Sequence, residues 1–368
     1  MVIQMRTLQI VIALAIMLAG GTLTMAQSEQ PGSRPMSVYV SLLGDHAIAA
    51  MTLDPAAGEL RDIGRTAIAG NPGPMAVSAS GGQLFVGDRA NNRIVCFDID
   101  RETSTLSAAS EATTAGNPIY ISRHPSAEFL LVACVGNVNL AAVHKIDGFG
   151  HVTSPPFTTV QAPTYPHCIR ADRSGRYVFM SSLRGDVVGQ FLFDKTAGAL
   201  TSNSPDRVTE PAGAGPRHLI QHPQLDVLYT VNETNNTISA WRIDDQGRLT
   251  NLQTISTLPE DAAVKNYAAD LEITPDGRLL IVSNRGHDTL ALYRVDAKSG
   301  TLVAAGYVPT EAYPRDIAMD PSGRFLLAAG QNSGKLAVYR INDDRAGLTL
   351  LSAHDVGKTP VWVQFIDN

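Results

Sequence analysis

Residues 267–296 read YAADLEITPDGRLLIVSNRGHDTLALYRVD. Three strand-sized segments stand here, separated by two turns. A short segment opens at Ala268. TPDGR follows, where Asp-Gly supplies the dihedrals of a tight hairpin. LLIVSN is strongly apolar, GHDT is a polar turn, and LALYRV runs into a closing Asp296. Apolar runs of this length bounded by turn residues read as strands.

The same order recurs on both sides. IVCFDID, LAAVHKID, VVGQFLFD, ISAWRID and LAVYRIN end like LALYRVD, and IAAMTLD adds a seventh near the N-terminus. Their closing residues are Asp54, Asp100, Asp147, Asp194, Asp244, Asp296 and Asn342, spaced 46 to 52 residues apart. A proline opens most units: Pro74, Pro118, Pro166, Pro216, Pro314 and Pro360, with Ala268 in its place once. Looser segments such as GTLVAAGYV complete each unit. A steady period of this length, made of four strands, is the signature of a propeller blade. Seven openers and seven closers predict an all-β, seven-bladed propeller with four-stranded antiparallel blades.

The termini predict how the ring closes. Pro360 opens VWVQFI, a first strand with nothing after it. SVYVSLL and HAIAAMTLD match second and third strands that lack a first. One blade is therefore expected to combine N- and C-terminal strands, which removes the open edges of the sheet.

The chain has 368 residues, 44% hydrophobic and 17% charged, with a formal net charge of −6. Length alone suggests more than one domain at about 150 residues each, but a repeat overrides that rule. No basic tract is present, so the electrostatic footprint of a nucleic-acid binder is missing. Residues 1–26 differ from the rest: Arg6 precedes the apolar run TLQIVIALAIMLAG, and Thr24 and Ala26 are small residues flanking a cut. This is the layout of a secretory signal peptide, and the run is short of the roughly 20 residues that span a bilayer. The expected organisation is a signal peptide over 1–26, a linker over 27–36 and the propeller over 37–368. It implies a periplasmic or secreted monomer with no stable membrane anchor. Cys96, Cys134 and Cys168 are odd in number, contain no C-x-x-C, and read as small core residues.

In a propeller the proline-led strand lies next to the central channel. Its start and the end of the antiparallel second strand share one face. The first set of mouth positions is then Met75, Ile119, His167, Arg217, Ala269, Arg315 and Val361. The second is Leu43, Arg89, Val135, Leu183, Glu233, Arg285 and Gln331. His167, Arg217, Glu233 and Arg285 fall in consecutive blades and form an acid/base set beside an anion clamp. Arg315, Gln331, Arg89, Arg184, His287 and Asp270 are the expected substrate-contacting groups. Asp270 is placed to orient a base or pair with an arginine. His218 and His222 read as pointing away from the mouth or capping turns. No zinc-spaced His/Cys group, P-loop, nucleophile elbow or dinucleotide fingerprint occurs, so neither metal nor cofactor is expected.

GAGPRHLIQHP, YTVNETNNTISAW, the stretch quoted above, PTEAYPRDIAMDPSGRFLLAAGQNSGKLAVYRI and VGKTPVWVQF closely resemble the lactonase propeller family. That family includes the seven-bladed bacterial 6-phosphogluconolactonase and the fungal carboxy-cis,cis-muconate cyclase. The resemblance implies that His167, Arg217, Glu233 and Arg285 are the active-site positions. It implies a lactone hydrolase acting on a sugar lactone or another anionic lactone or carboxylate, or a muconate-type lactonizing cyclase. A non-enzymatic periplasmic propeller that binds a ligand or protein is the reading from another class. PHCIR departs from the family pattern, in which Ser or Ala commonly follows the histidine. The exported N-terminus also sits apart from 6-phosphogluconolactone, an intracellular metabolite.

Overall fold

A computed structural model of the chain describes residues 35–366. The expected signal peptide and nearly all of the expected linker lie outside the described residues. Seven four-stranded antiparallel sheets form, one per repeat, as the periodicity predicts. Among the described residues the one helical element is a short 3-10 turn, Leu43–Asp45.

The turn residues act as their chemistry suggests. Gly175, Gly277 and Gly323 sit in the first hairpin turns with φ of 70, 70 and 67°, a region that a Cβ disfavours. At Gly277 a Cβ would also come within 2.4 Å of the His222 ring. The closing aspartates cap the next turn. Oδ1 of Asp54, Asp100, Asp147, Asp194, Asp244 and Asp296 each accepts two backbone N–H groups from residues two to four positions on. A side chain that replaces a backbone turn partner explains why the repeat is marked by Asp.

The second and third strands carry the core. β21 (Leu279–Arg285) and β25 (Phe325–Gly330) are buried at every position, whereas the outer strand β27 (Leu348–Asp355) is mostly exposed. Inner strands therefore pack on neighbouring blades through both faces, and outer strands meet solvent. Large aromatics also fix one blade to the next. The hydroxyls of Tyr39, Tyr177 and Tyr229 donate to Ser104 O, Asp245 O and Gly300 O, each in the turn after a closing Asp. A buried ring of this size contributes about 1.5–3 kcal/mol through apolar burial, and its hydroxyl adds position.

The ring closes as expected. β28 (Pro360–Ile366) pairs antiparallel with β1 (Met36–Leu42), with Val40 opposite Val363. The first blade is thus built in the order β28, β1, β2 (Ala47–Leu53), β3 (Leu60–Ala67).

Each innermost strand leaves its ladder soon after it starts. In β12 (Pro166–Ala171), β16 (Pro216–Gln221), β20 (Tyr267–Ile273) and β24 (Pro314–Met319) the register shifts just past the proline or Ala268. Such an irregularity re-aims side chains, here into the channel. Serines of the second strands fill the gap: Ser181 Oγ accepts Cys168 N–H and donates to Arg217 O on the next blade. One opener differs from expectation. Pro72, not Pro74, pairs with Asp88 as Pro216 pairs with Asn232. Gly73 therefore takes the mouth position assigned to Met75, because NPGP offers two prolines and the pairing uses the first.

Candidate active site

Two layers of the channel are built from the first two residues after each opener. The mouth layer holds Gly73, Ile119, His167, Arg217, Arg315 and Val361, and these line one narrow cavity of about 20 Å³ with Arg89. Below it lie Tyr120, His218 and Trp362, whose rings meet edge-on or tilted with centroids 5.2 to 5.7 Å apart. Their rings narrow the channel below the mouth. A larger cavity of about 450 Å³ lies beyond these rings, lined by Arg170 and Glu272 further along the same strands. It contains none of the four residues singled out as an acid/base set and clamp.

Those four converge. Glu233, just past the end of β17 (Val227–Asn232), places Oε2 3.0 Å from Arg217 Nε and 2.9 Å from Arg285 Nη2. The Arg217 contact is an ion pair without good hydrogen-bond alignment. Backbone carbonyls hold both guanidiniums: Arg217 Nη1 donates to Ala269 O at 2.5 Å, and Arg285 Nε donates to Tyr267 O at 3.2 Å. The two arginines are 3% and 4% exposed, while the Glu233 side chain is 20% exposed. Glu233 is thus the member of the trio that faces outward. His167 is buried in the adjacent blade, and no hydrogen-bond partner reaches its Nδ1.

Charge crowding sets the protonation states. Burial alone would raise the Glu233 carboxyl, but Arg217 and Arg285 outweigh it and hold the group below its ordinary value. Burial, then the charge of Arg217, pushes His167 well below the usual histidine value, so the imidazole is neutral. Burial and the neighbouring Arg217, Arg285 and Arg89 press Arg315 down to about 9. Arg89 and Arg285 are lowered too, chiefly by burial. Four guanidiniums face one carboxylate in this layer.

The remaining sequence-predicted groups are spread more widely. Arg315 Nη1 donates to Gln331 Oε1 at 3.3 Å, and Arg89 Nε donates to Asn117 Oδ1 at 3.3 Å, both at the mouth. Arg184 is exposed on the rim, its guanidinium 4.5 Å from the Tyr165 ring centre. His287 lies in the turn after β21, bonded to Thr289 Oγ1 at 2.7 Å, and does not line the mouth cavity. Asp270 sits one layer down, and its Oδ1 is 2.6 Å from His218 Nδ1. His222 caps a turn, accepting Gln224 and Leu225 N–H groups at Nδ1. His218 does not point away from the mouth: it lines the mouth cavity from below.

Sequence reasoning missed three tyrosines. Tyr165, Tyr267 and Tyr313 occupy the same position in three blades, directly before Pro166, Ala268 and Pro314. Arg285 lies 5.9 and 5.3 Å from the Tyr267 and Tyr313 ring centres, within cation–π range. The triplets TYP, NYA and AYP were the available signal.

One cluster has metal-like composition. Ligand atoms of His218, Asp270 and Asp316 lie within 4.8 Å of one another. His218 Nδ1 is already taken by Asp270, and Asp316 Oδ2 accepts Val363 N–H at 2.8 Å. His218 Nδ1 and oxygens of both aspartates are thus engaged, and the one unpartnered His218 nitrogen, Nε2, points away from Asp270, so the set does not converge on a cation.

Fold and mouth together define a seven-bladed propeller with arginines gathered around one carboxylate at the channel mouth. The chain belongs to the lactonase family of seven-bladed β-propellers, whose family model matches residues 37–365. It is 35% identical over 329 residues to the 6-phosphogluconolactonase of Yersinia pestis (strain Pestoides F), covering 89% of this chain and 97% of that one. The 6-phosphogluconolactonase of Xenorhabdus nematophila is 35% identical over 299 residues, covering 81% of this chain and 89% of that one. Among solved structures, the periplasmic gluconolactonase PpgL of Pseudomonas aeruginosa superposes with a TM-score of 0.84 at 25% identity, covering 91% of this chain and 99% of that one.

Proposed function

We propose that the protein hydrolyses an anionic sugar lactone, of the 6-phosphogluconolactone type, at the channel mouth. The observation that carries this reading is the surplus of guanidinium charge there, beside an uncharged imidazole. The names of the family relatives support the substrate class. Glu233 forms its ion pairs with Arg217 and Arg285 rather than with Arg89 or Arg315, which suit a phosphate or carboxylate on the substrate. Arg217 and Arg285 face the lactone carbonyl and stabilise the oxyanion as it forms.

The protonation states assign the acid/base role. Glu233, held ionised between two arginines, is a poor proton donor and acts as the anchor that orients them. Neutral His167 takes a proton from water as its oxygen attacks the carbonyl carbon. The tetrahedral intermediate then expels the ring oxygen, which receives that proton back from His167. General base and acid action of this kind contributes about 10²–10⁴-fold. The apolar N-terminal run and the periplasmic relative support export, with the mature chain beginning near Gln27.

The deciding experiment is substrate profiling with purified protein. Rapid opening of 6-phosphogluconolactone or gluconolactone, lost in His167→Ala, is the expected result. Turnover of muconates alone would establish the cyclase instead. Anion binding without turnover would establish a binding propeller.

A further inference from the structure

Two buried nitrogens without partners belong to histidines that line one cavity. One is His167 Nδ1; the other is Nε2 of His218 in the next blade. The ring centroids are 5.2 Å apart, with planes inclined at 52°. His218 is 3% exposed and His167 5%. Buried polar atoms left unpaired are costly and rare, so a pair of them side by side calls for a reason.

The far end of His218 is fixed. Its Nδ1 lies 2.6 Å from Asp270 Oδ1, and Asp270 Oδ2 accepts Ile317 N–H at 3.0 Å. Tyr120 and Trp362 pack against the His218 ring. Donation of Nδ1–H to a carboxylate makes Nε2 an acceptor. An acceptor at that point selects the His167 tautomer that carries its proton on Nδ1. The other nitrogen of His167, Nε2, then keeps a free lone pair.

We propose that Asp270 and His218 form a buried positioning dyad that fixes the tautomer and orientation of His167, so that Nε2 is the base presented to water at the mouth. This rests on His167 being the base of the lactonase reaction proposed above. In the dyad the His167 Nδ1–H donates to His218 Nε2, a contact that the 5.2 Å ring separation allows. When Nε2 gains the proton from water, Nδ1–H stays in place and the Asp270 charge stabilises the imidazolium through His218. The proton then leaves Nε2 for the ring oxygen, and no proton moves along the dyad. His167 needs this support because Arg217, Arg285 and Arg315 all oppose its protonation.

The test combines kinetics with tautomer assignment. Asp270→Asn is expected to lower kcat on the order of 10²-fold, with KM changed less than about twofold. The acid limb of the kcat–pH profile should move to lower pH, since one negative charge is lost. The groups facing the two imidazoles are Arg217, Arg285, Arg315, Tyr120, Asp270 and Asp316. Burial and the Asp270 charge hold the Asp316 carboxyl well above its ordinary value, so Asp316→Asn is the control: it keeps the Asp270 charge and should leave the acid limb in place. His218→Gln, which retains an acceptor, should recover part of the activity lost in His218→Ala. Nitrogen NMR of the unmodified protein covers the case in which the variants do not fold. It should find His167 protonated on Nδ1 and His218 protonated on Nδ1. The opposite tautomer at His167, or unchanged kcat and pH profile in Asp270→Asn while His167→Ala is inactive, overturns the dyad and leaves the lactonase reading standing. Full activity in His167→Ala overturns the base assignment itself.

Discussion

Glu233 Oε2 lies 2.9 Å from Arg285 Nη2, an ion pair that joins two neighbouring blades at the lip of the channel. Its partners are largely buried, so removing the charge exposes the cost of two unbalanced guanidiniums. Glu233→Gln is expected to reduce kcat/KM by about 10²–10³-fold, because both oxyanion-facing arginines lose their anchor. Steady-state kinetics on the preferred lactone checks this. Loss confined to KM would show instead that the trio only binds substrate.

Anion affinity should depend on Arg315. Its group titrates at about 9, pressed down by burial and three other arginines. Affinity for gluconate 6-phosphate, read by titration calorimetry, is expected to fall as pH rises past that value. In Arg315→Gln the affinity should be weaker and the alkaline fall absent. An unaltered profile in the variant would assign the loss to another group.

Stability should decline on both sides of an optimum. His167 and His218 are held below the ordinary histidine value of 6.5, His218 at about 4, mainly by burial. Their folded forms bind fewer protons than the unfolded chain. Stability is therefore present above pH 6.5 and lost as pH falls toward the folded values. Glu272 behaves oppositely: burial and Asp270 raise it from 4.5 to about 8. Its contribution is present below 4.5 and lost as pH rises through 8. Thermal unfolding of Glu272→Gln should give a higher Tm than the parent at pH 8.5 and a similar one at pH 4.5.

Ser181 offers a structural test. Its hydroxyl bridges Cys168 N–H and Arg217 O where the inner ladder is broken. Ser181→Ala leaves a buried N–H unpaired, a cost of about 1–3 kcal/mol. Denaturant unfolding measures the loss. A parallel fall in kcat, larger than the stability change explains, is expected because Arg217 is mispositioned.

The fold was legible because its marks are local. A closing Asp caps a turn in six repeats, and that function needs no tertiary context. The Glu233 trio was legible because blade register alone brings its positions to one rim. The opener at Pro72 was not, since two prolines in NPGP compete and only strand pairing decides. Nor was the place of His218. It neighbours Arg217 in sequence, and in a regular strand the two would face opposite sides. The break in the β16 ladder turns both toward the channel. The tyrosine collar escaped notice because residues before a proline read as loop.

Val40 and Val363 are partners across a single ladder although almost the whole chain separates them. Six blades can assemble from contiguous sequence, but the seventh waits for a strand made hundreds of residues later. Until Pro360–Ile366 is synthesised, β1 offers a bare edge to any passing strand. Closure of this ring is consequently gated by translation: the ring has a latch, and the latch is delivered long after the edge that it covers.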